Sequence, residues 1–171
     1  IDRKNSSDKW EIEIYSKAKY PLILKFVGFS FVDFESNPFP TVITEFIPNG
    51  SLQDILHNNK NAQNQNKLTD TSKYIILLGI SLCMNYFHTL NIFNFNLNLS
   101  NIFLDEHYYP KIIPSNNPKR EATSGASPYT APEILSGKQY DCSADTYSFS
   151  IVAYELITGE FLFAETNWSH F

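Results

Sequence analysis

The sequence predicts an α+β fold: a small part of helix and antiparallel strands, joined near residues 47–51 to a larger, mainly helical part. Three observations carry this. Trp10, Ile14 and Ala18 recur at four-residue spacing within residues 7–19, so they share one face of an amphipathic helix. Short β-branched and aromatic runs follow as far as residue 47, the composition of strands. Two apolar stretches, residues 70–90 and 143–158, are long enough for buried helices.

The first helix should stop at Tyr20-Pro21, because the residue before proline avoids helical angles. Strands are expected over Leu22–Val27, Phe29–Phe34 and Thr41–Ile47, with Gly28 separating the first two. Pro48-Asn49-Gly50 signals a turn, and Ser51 is a suitable N-cap for the helix behind it. Residues 57–67 are polar and of low complexity, which predicts a flexible loop. Thr69 or Asp70 can cap the next helix, whose apolar residues Tyr74, Ile75, Leu77, Leu78, Ile80, Leu82 and Met84 cover most of its circumference and predict burial. Ile102–Leu104 and Lys111–Ile113 suit a hairpin around Asp105–Tyr109. Residues 114–130 read as loop, 131–137 as a short helix and 143–158 as a longer one. A cleft between the two parts would be a natural ligand site.

Composition narrows the function. Hydrophobic residues make up 43% of the 171 residues and aromatics 15%, enough to bury a core. Net charge is -5 and no Lys/Arg run forms a nucleic-acid footprint. Cys83 and Cys142 stand in no metal-ligand or redox spacing, so both are read as small buried residues. No segment reads as a signal peptide, and no apolar run is long enough to span a bilayer. Neither nucleic acid nor membrane is expected as a partner, and a cytoplasmic location is. The chain starts at Ile1 and stops at Phe171 without a closing signal, so both ends are read as cut.

Six segments, in order, resemble the eukaryotic protein kinase domain, most like its serine/threonine, tyrosine-kinase-like branch. Glu11-Ile12-Glu13-Ile14-Tyr15-Ser16 with Tyr20-Pro21-Leu22-Ile23-Leu24 is similar to the end of that family's regulatory helix and the strand after it. Val42 to Leu52 (VITEFIPNGSL) resembles the hinge, with Thr44 at the gatekeeper position. Tyr86-Phe87-His88 precedes the catalytic-loop position, and Asn101-Ile102-Phe103-Leu104 follows it. Ala131-Pro132-Glu133 resembles the end of the activation segment, and Asp145-Thr146-Tyr147-Ser148-Phe149 the central helix. The resemblance implies residues 1–47 as part of a small lobe with the hinge, and 48–171 as an incomplete, mainly helical large lobe.

At the family's chemical positions the resemblance implies losses. The catalytic loop H-R-D-x-K-x-x-N is matched by Asn94-Phe95-Asn96-Leu97-Asn98-Leu99-Ser100-Asn101. Asn96 stands where a carboxylate would take a proton, and a carboxamide lacks that basicity. Asn98 replaces the phosphate lysine, Phe95 replaces an arginine, and Asn101 alone keeps the family residue. Where D-F-G belongs the chain reads Pro114-Ser115-Asn116, with no carboxylate for Mg²⁺. Ala126 replaces a threonine before Ala-Pro-Glu. On this basis the chain is expected to be a pseudokinase: not an enzyme, with no intact catalytic group and no metal site, working as a protein-interaction or regulatory module with a protein partner. The alternatives are a serine/threonine kinase domain that binds ATP, or a non-functional gene remnant.

Nucleotide contacts are assigned by the same resemblance. Glu45 and Ile47 would offer backbone groups to adenine and Phe103 a floor, with the gatekeeper Thr44 and Ser51 also in the adenine and ribose pocket. ATP binding is thus allowed and Mg²⁺ binding is expected to be weak or missing. Glu11 takes the regulatory position of the glutamate that pairs with the ATP lysine. Asp145 is expected to bond the catalytic-loop backbone. His88 is read as packed core, and Asp105, Glu106 and His107 as turn residues.

Overall fold

The computed structural model describes residues 14–15, 17–39, 41–61, 68–94, 96–114, 127–138 and 141–162. Most of the predicted first helix lies outside them, as do Glu11, Phe95, residues 115–126 and residues 163–171. Of its described residues, Ile14, Tyr15 and Ala18 pack into the core, while Lys17 and Lys19 are exposed.

Strand β1 (Phe26–Ser30) pairs antiparallel with β2 (Thr41–Thr44). The prediction of separate strands on either side of Gly28 is corrected, since one strand runs through Gly28 and Val27 is bulged out of register between Phe26 and Gly28. A bulge adds a residue to one strand and twists it. The residues before it, Leu22 to Leu24, leave this sheet for another. Ile23 makes a parallel bridge to Ile112, Ile112 N donates to Leu22 O at 2.8 Å, and Leu24 N donates to Ile112 O at 3.0 Å. Beyond Ser30 the chain turns. Asp33 Oδ1 accepts from the backbone N–H of Glu35 and of Asn37, each at 2.9 Å, a local bond pattern that competes with a strand ladder.

Helix α1 (Leu52–Asn61) starts at the predicted cap but runs into the stretch read as a loop. Ser51 Oγ accepts from Asp54 N at 3.2 Å, while Asp54 Oδ2 accepts from Ser51 N at 3.2 Å. This reciprocal capping nucleates the helix and carries it beyond His57. Helix α2 (Asp70–Thr89) is capped by Thr69, whose Oγ1 accepts from Ser72 N at 3.1 Å.

Burial of α2 is one-sided, not all-round as predicted. Ile76, Ile80, Cys83, Met84 and Phe87 face the core, while Tyr74, Leu78 and Leu82 form an exposed stripe at four-residue spacing. Both faces are apolar, so periodicity alone could not choose between them. Gly79 belongs to the inner face for a steric reason: a Cβ there would sit 2.4 Å from Pro110 Cγ. Cysteine placement also divides. Cys83 is buried, its thiol pushed up to about 12 by that burial, whereas Cys142 is exposed, contrary to expectation.

A 3₁₀ turn (Leu99–Asn101) leads into β3 (Ile102–Leu104), which pairs antiparallel with β4 (Pro110–Ile112). Ile102, Leu104, Pro110 and Ile112 are buried while Phe103 and Lys111 share the opposite, half-buried face, the alternation of a strand pair with one face in the core. Asp105 Oδ1 holds the turn between them by accepting from His107 N and Tyr109 N. Helix α3 (Pro132–Leu135) and helix α4 (Ser143–Thr158) complete the described chain. Gly159, at φ 73°, terminates α4 in the left-handed conformation, which costs glycine little. Phe87, Leu97, Leu99, Ile102, Val152 and Leu156 are fully buried where α2, the 3₁₀ turn, β3 and α4 meet.

Candidate active site

The site is built where the segment after β2 meets the β3–β4 hairpin. Gly50 O accepts from Leu104 N at 3.2 Å, and Ser51 bridges to Phe103. These contacts hold residues 45–51 against β3. Glu45 N donates to Lys25 O at 2.9 Å, so the group it keeps for a ligand is its carbonyl. Ile47 O closes the turn by accepting from Gly50 N at 3.3 Å, which leaves its N–H. Thr44 ends β2 opposite Phe26, and half-buried Phe103 lies on the face of β3 away from Ile102 and Leu104. A carbonyl acceptor, an N–H donor two residues on and an aromatic face suit a flat heteroaromatic ring such as adenine. The Ser51 hydroxyl has another task, because it donates to Asp54 Oδ2 at 2.6 Å.

Asn96, Asn98 and Asn101 form one network. Asn98 Oδ1 caps the 3₁₀ turn, accepting from Ser100 N at 2.9 Å and Asn101 N at 3.1 Å. Asn98 Nδ2 donates to Asn96 Oδ1 at 2.8 Å, and Asn101 Nδ2 donates to Asn96 O at 3.0 Å. Ser100 Oγ reaches Gln53 Oε1, tying this loop to α1. The loop is also fastened to the segment after β4: Ile113 N donates to Asn101 O at 3.2 Å, and Asn94 Nδ2 donates to Ile113 O at 3.3 Å. Buried Pro114 follows. Thus Asn96, Asn98, Asn101 and Pro114 converge, with Ser51 and Phe103 one strand away. Glu11 lies outside the described residues.

Asp145 anchors the loop from below. Its Oδ2 accepts from Asn94 N at 2.9 Å, as the resemblance implies, and lies 2.8 Å from His88 Nε2. His88 is therefore a half-exposed partner of a buried carboxylate, not the packed core residue expected. Burial raises the Asp145 carboxyl above its ordinary value, and the bonds from His88 and Asn94 pull it back. Sequence reasoning missed a second buried carboxylate, Glu155, which accepts from the Tyr129 hydroxyl at 2.5 Å and from Leu162 N at 2.9 Å. Burial, then the bond and charge of Glu155, push the Tyr129 hydroxyl well above its usual range. The signal was present: Glu155 is an acid in the interior of an apolar helix, and such groups require partners.

Among the described residues no group of three His, Cys, Asp or Glu could hold a metal. The resemblance assigns Asn101 to a divalent ion, for which its carboxamide carries one oxygen, and Mg²⁺ binds through one or two protein oxygens together with substrate phosphates. Nor is any described helix long and apolar enough to cross a membrane.

Comparison with known proteins decides the family. The family model described as the protein kinase domain matches residues 2–170. A probable serine/threonine-protein kinase of Dictyostelium discoideum is 34% identical over 159 residues, covering 89% of this chain and 12% of that protein. The serine/threonine-protein kinase STY17 of Arabidopsis thaliana is 31% identical over 157 residues, 88% of this chain and 26% of its own length. A putative serine/threonine-protein kinase/receptor of Acanthamoeba polyphaga mimivirus is 31% identical over 166 residues, 92% of this chain and 10% of its own. The chain thus spans between a tenth and about a quarter of these relatives. The expectation of a chain that is not an enzyme is corrected here: a kinase-domain match over almost every residue, with several serine/threonine kinases as relatives, points to an enzyme. The inference rested on the joint replacement of base, phosphate lysine and metal carboxylate by Asn96, Asn98 and Pro114, and the family match over residues 2–170 overturns it. With the matched family model spanning both the residues 45–51 segment and the Asn96–Asn101 loop, this chain belongs to the protein kinase domain family.

Proposed function

We propose that this chain is a serine/threonine protein kinase domain of the tyrosine-kinase-like branch, acting in the cytoplasm on a hydroxyl of a protein partner. The observation that carries this is the family match over residues 2–170, with relatives described as serine/threonine-protein kinases. ATP with Mg²⁺ supplies the transferred phosphoryl group. Residues 1–47 serve as small lobe and hinge, and residues 48–171 as the large-lobe portion. The Glu45 carbonyl and the Ile47 N–H hold adenine, Thr44 limits the depth of the pocket, Phe103 floors it, and Ser51 shapes the rim through α1. Glu11 acts as a regulatory position.

Asn96 orients the hydroxyl. Its Oδ1 accepts from Asn98 Nδ2 and has a second lone pair for a substrate O–H. It does not take the proton, which passes to an oxygen of the transferred phosphoryl group as the bond to the departing ADP breaks, so the roughly 10²–10⁴-fold that a positioned base contributes is forgone and turnover is slow. Asn98 and Asn101 keep Asn96 in place, and Pro114 backs the loop.

The test is transfer of labelled γ-phosphate from Mg²⁺-ATP to casein on serine or threonine, with Asn96→Ala as the control. Transfer above the control is expected. Transfer no faster than the control would overturn the proposal.

A further inference from the structure

A groove of about 690 Å³ has Glu45 in its wall and is lined further by Tyr15, Ala18, Lys19, Tyr20, Lys25, Phe26 and Lys111, among others. None of the residues assigned to adenine or to the Asn96 loop lines it, apart from Glu45 itself. Two aromatic pairs stiffen its sides. Tyr15 stacks on Phe26 with ring centroids 5.5 Å apart, and Tyr20 stacks on Tyr86 at 4.7 Å. The Tyr86 hydroxyl accepts from Lys19 N at 3.1 Å and so fixes the chain at the rim. The volume falls within the range of small-molecule sites, and the lining has their character: a mainly apolar wall with a few convergent polar groups.

The charge is one-sided. Lys19, Lys25 and Lys111 line the groove against a single carboxylate, Glu45. Lys111 is already engaged, with Nζ donating to Pro21 O at 2.7 Å and lying 3.8 Å from Glu45 Oε1. The ammonium groups of Lys19 and Lys25 make no ion pair among the described residues, and both side chains are exposed at the rim. An apolar hollow with unpaired cations at its mouth complements an aromatic body carrying an acid.

We propose that this groove is a second ligand site, which takes a small aromatic organic anion (a carboxylate, sulfonate or phosphate). The ring lies between Tyr15–Phe26 and Tyr20, and the acid group meets Lys25 and Lys19. The site is wired to the hinge through one residue. The Glu45 backbone is assigned to adenine, while its Oε1 accepts from Lys25 N at 2.9 Å inside the groove. An anion that draws Lys111 Nζ away from Glu45 Oε1 therefore acts on the segment that would hold nucleotide.

The probe is 1-anilinonaphthalene-8-sulfonate, followed by fluorescence titration and by amide chemical shifts of the folded chain. One-to-one binding is expected, with shifts at Leu24, Phe26 and Glu45, and at least tenfold weakening in the Lys19→Glu/Lys25→Glu variant. Saturating adenylyl imidodiphosphate should leave the probe bound. Binding unchanged by the double charge reversal would mark non-specific adhesion to exposed apolar surface and overturn the proposal. Amide shifts confined to Ile47, Ser51 and Phe103 would place the probe in the adenine pocket and overturn it equally. A dimer in sedimentation that the double reversal dissociates would give the groove to a second copy, again against the proposal. Because the readouts need no phosphoryl transfer, failure here leaves the kinase reading intact, and the reverse holds.

Discussion

His88 Nε2 stands 2.8 Å from Asp145 Oδ2, joining the last turn of α2 to the first turn of α4. The same oxygen accepts the Asn94 N–H, so one buried atom sets the height of the loop that carries Asn96. Burial keeps this carboxyl above its ordinary 3.8. Between 3.8 and that raised value the folded chain keeps a proton which the unfolded chain has released. The Asp145 contribution is thus greatest at and below 3.8 and falls as pH rises toward the folded value. Asp33 and Asp141, both lowered by hydrogen bonds, work in the opposite sense. Asp145→Asn retains an oxygen for Asn94 N and cannot titrate. Urea unfolding of both proteins from pH 3.8 upward should show the wild type losing stability relative to the variant as pH rises. A constant difference would refute the assignment.

Tyr129→Phe removes the O–H that Glu155 accepts at 2.5 Å. Glu155 is buried and keeps the Leu162 N–H, but one carboxylate oxygen loses its donor. Hydrogen bonds to charged groups contribute about 1.5–3 kcal/mol, and a loss of that size is expected in urea unfolding. A change below about 0.5 kcal/mol, the level of an ordinary surface substitution, would mean that the pair does not hold α4 to the Tyr129 segment.

Gly79→Ala sets two effects against each other. Alanine gains about 1 kcal/mol of helix propensity. Its Cβ, however, would lie 2.4 Å from Pro110 Cγ, and overpacking a filled core costs about 1–3 kcal/mol. The melting temperature should fall, and Pro110→Ala in the same chain should recover most of the loss. A melting temperature that rises for Gly79→Ala alone would show that the helix stands off from the hairpin.

Asn96→Asp changes the chemistry with little change in shape. Asn98 Nδ2 can donate to a carboxylate as it does to the Asn96 oxygen. A base at this position should raise the transfer rate by about 10²-fold or more, with the melting temperature steady. An unchanged rate would place the hydroxyl elsewhere.

Much of this arrangement was legible in the residues. Ser51 and Thr69 mark their helices because each cap bond is made within three residues. The hairpin followed from alternation around Asp105. Long-range competition was not legible. Nothing local to Leu22–Leu24 says that its bonds go to Ile112 and leave β1 to begin at Phe26. Nothing in the α2 periodicity separates Ile76 from Tyr74; Pro110 does that from another element. At the site, residue types showed where Asn96, Asn98 and Asn101 sit but not that they bond one another. Reading them together with Pro114 led from absent groups to absent activity, which the family comparisons corrected.

The bridge between Ile23 and Ile112 also sets a timetable for biosynthesis. Ribosomes add about 5–20 residues per second, so on the order of 5–20 s separates the emergence of Ile23 from that of its partner. Over that interval the Leu22–Leu24 segment has no edge to dock on. Its apolar side chains stay within reach of chaperones until β4 leaves the exit tunnel, and the amino-terminal part of this fold is consequently completed after the segment that follows it.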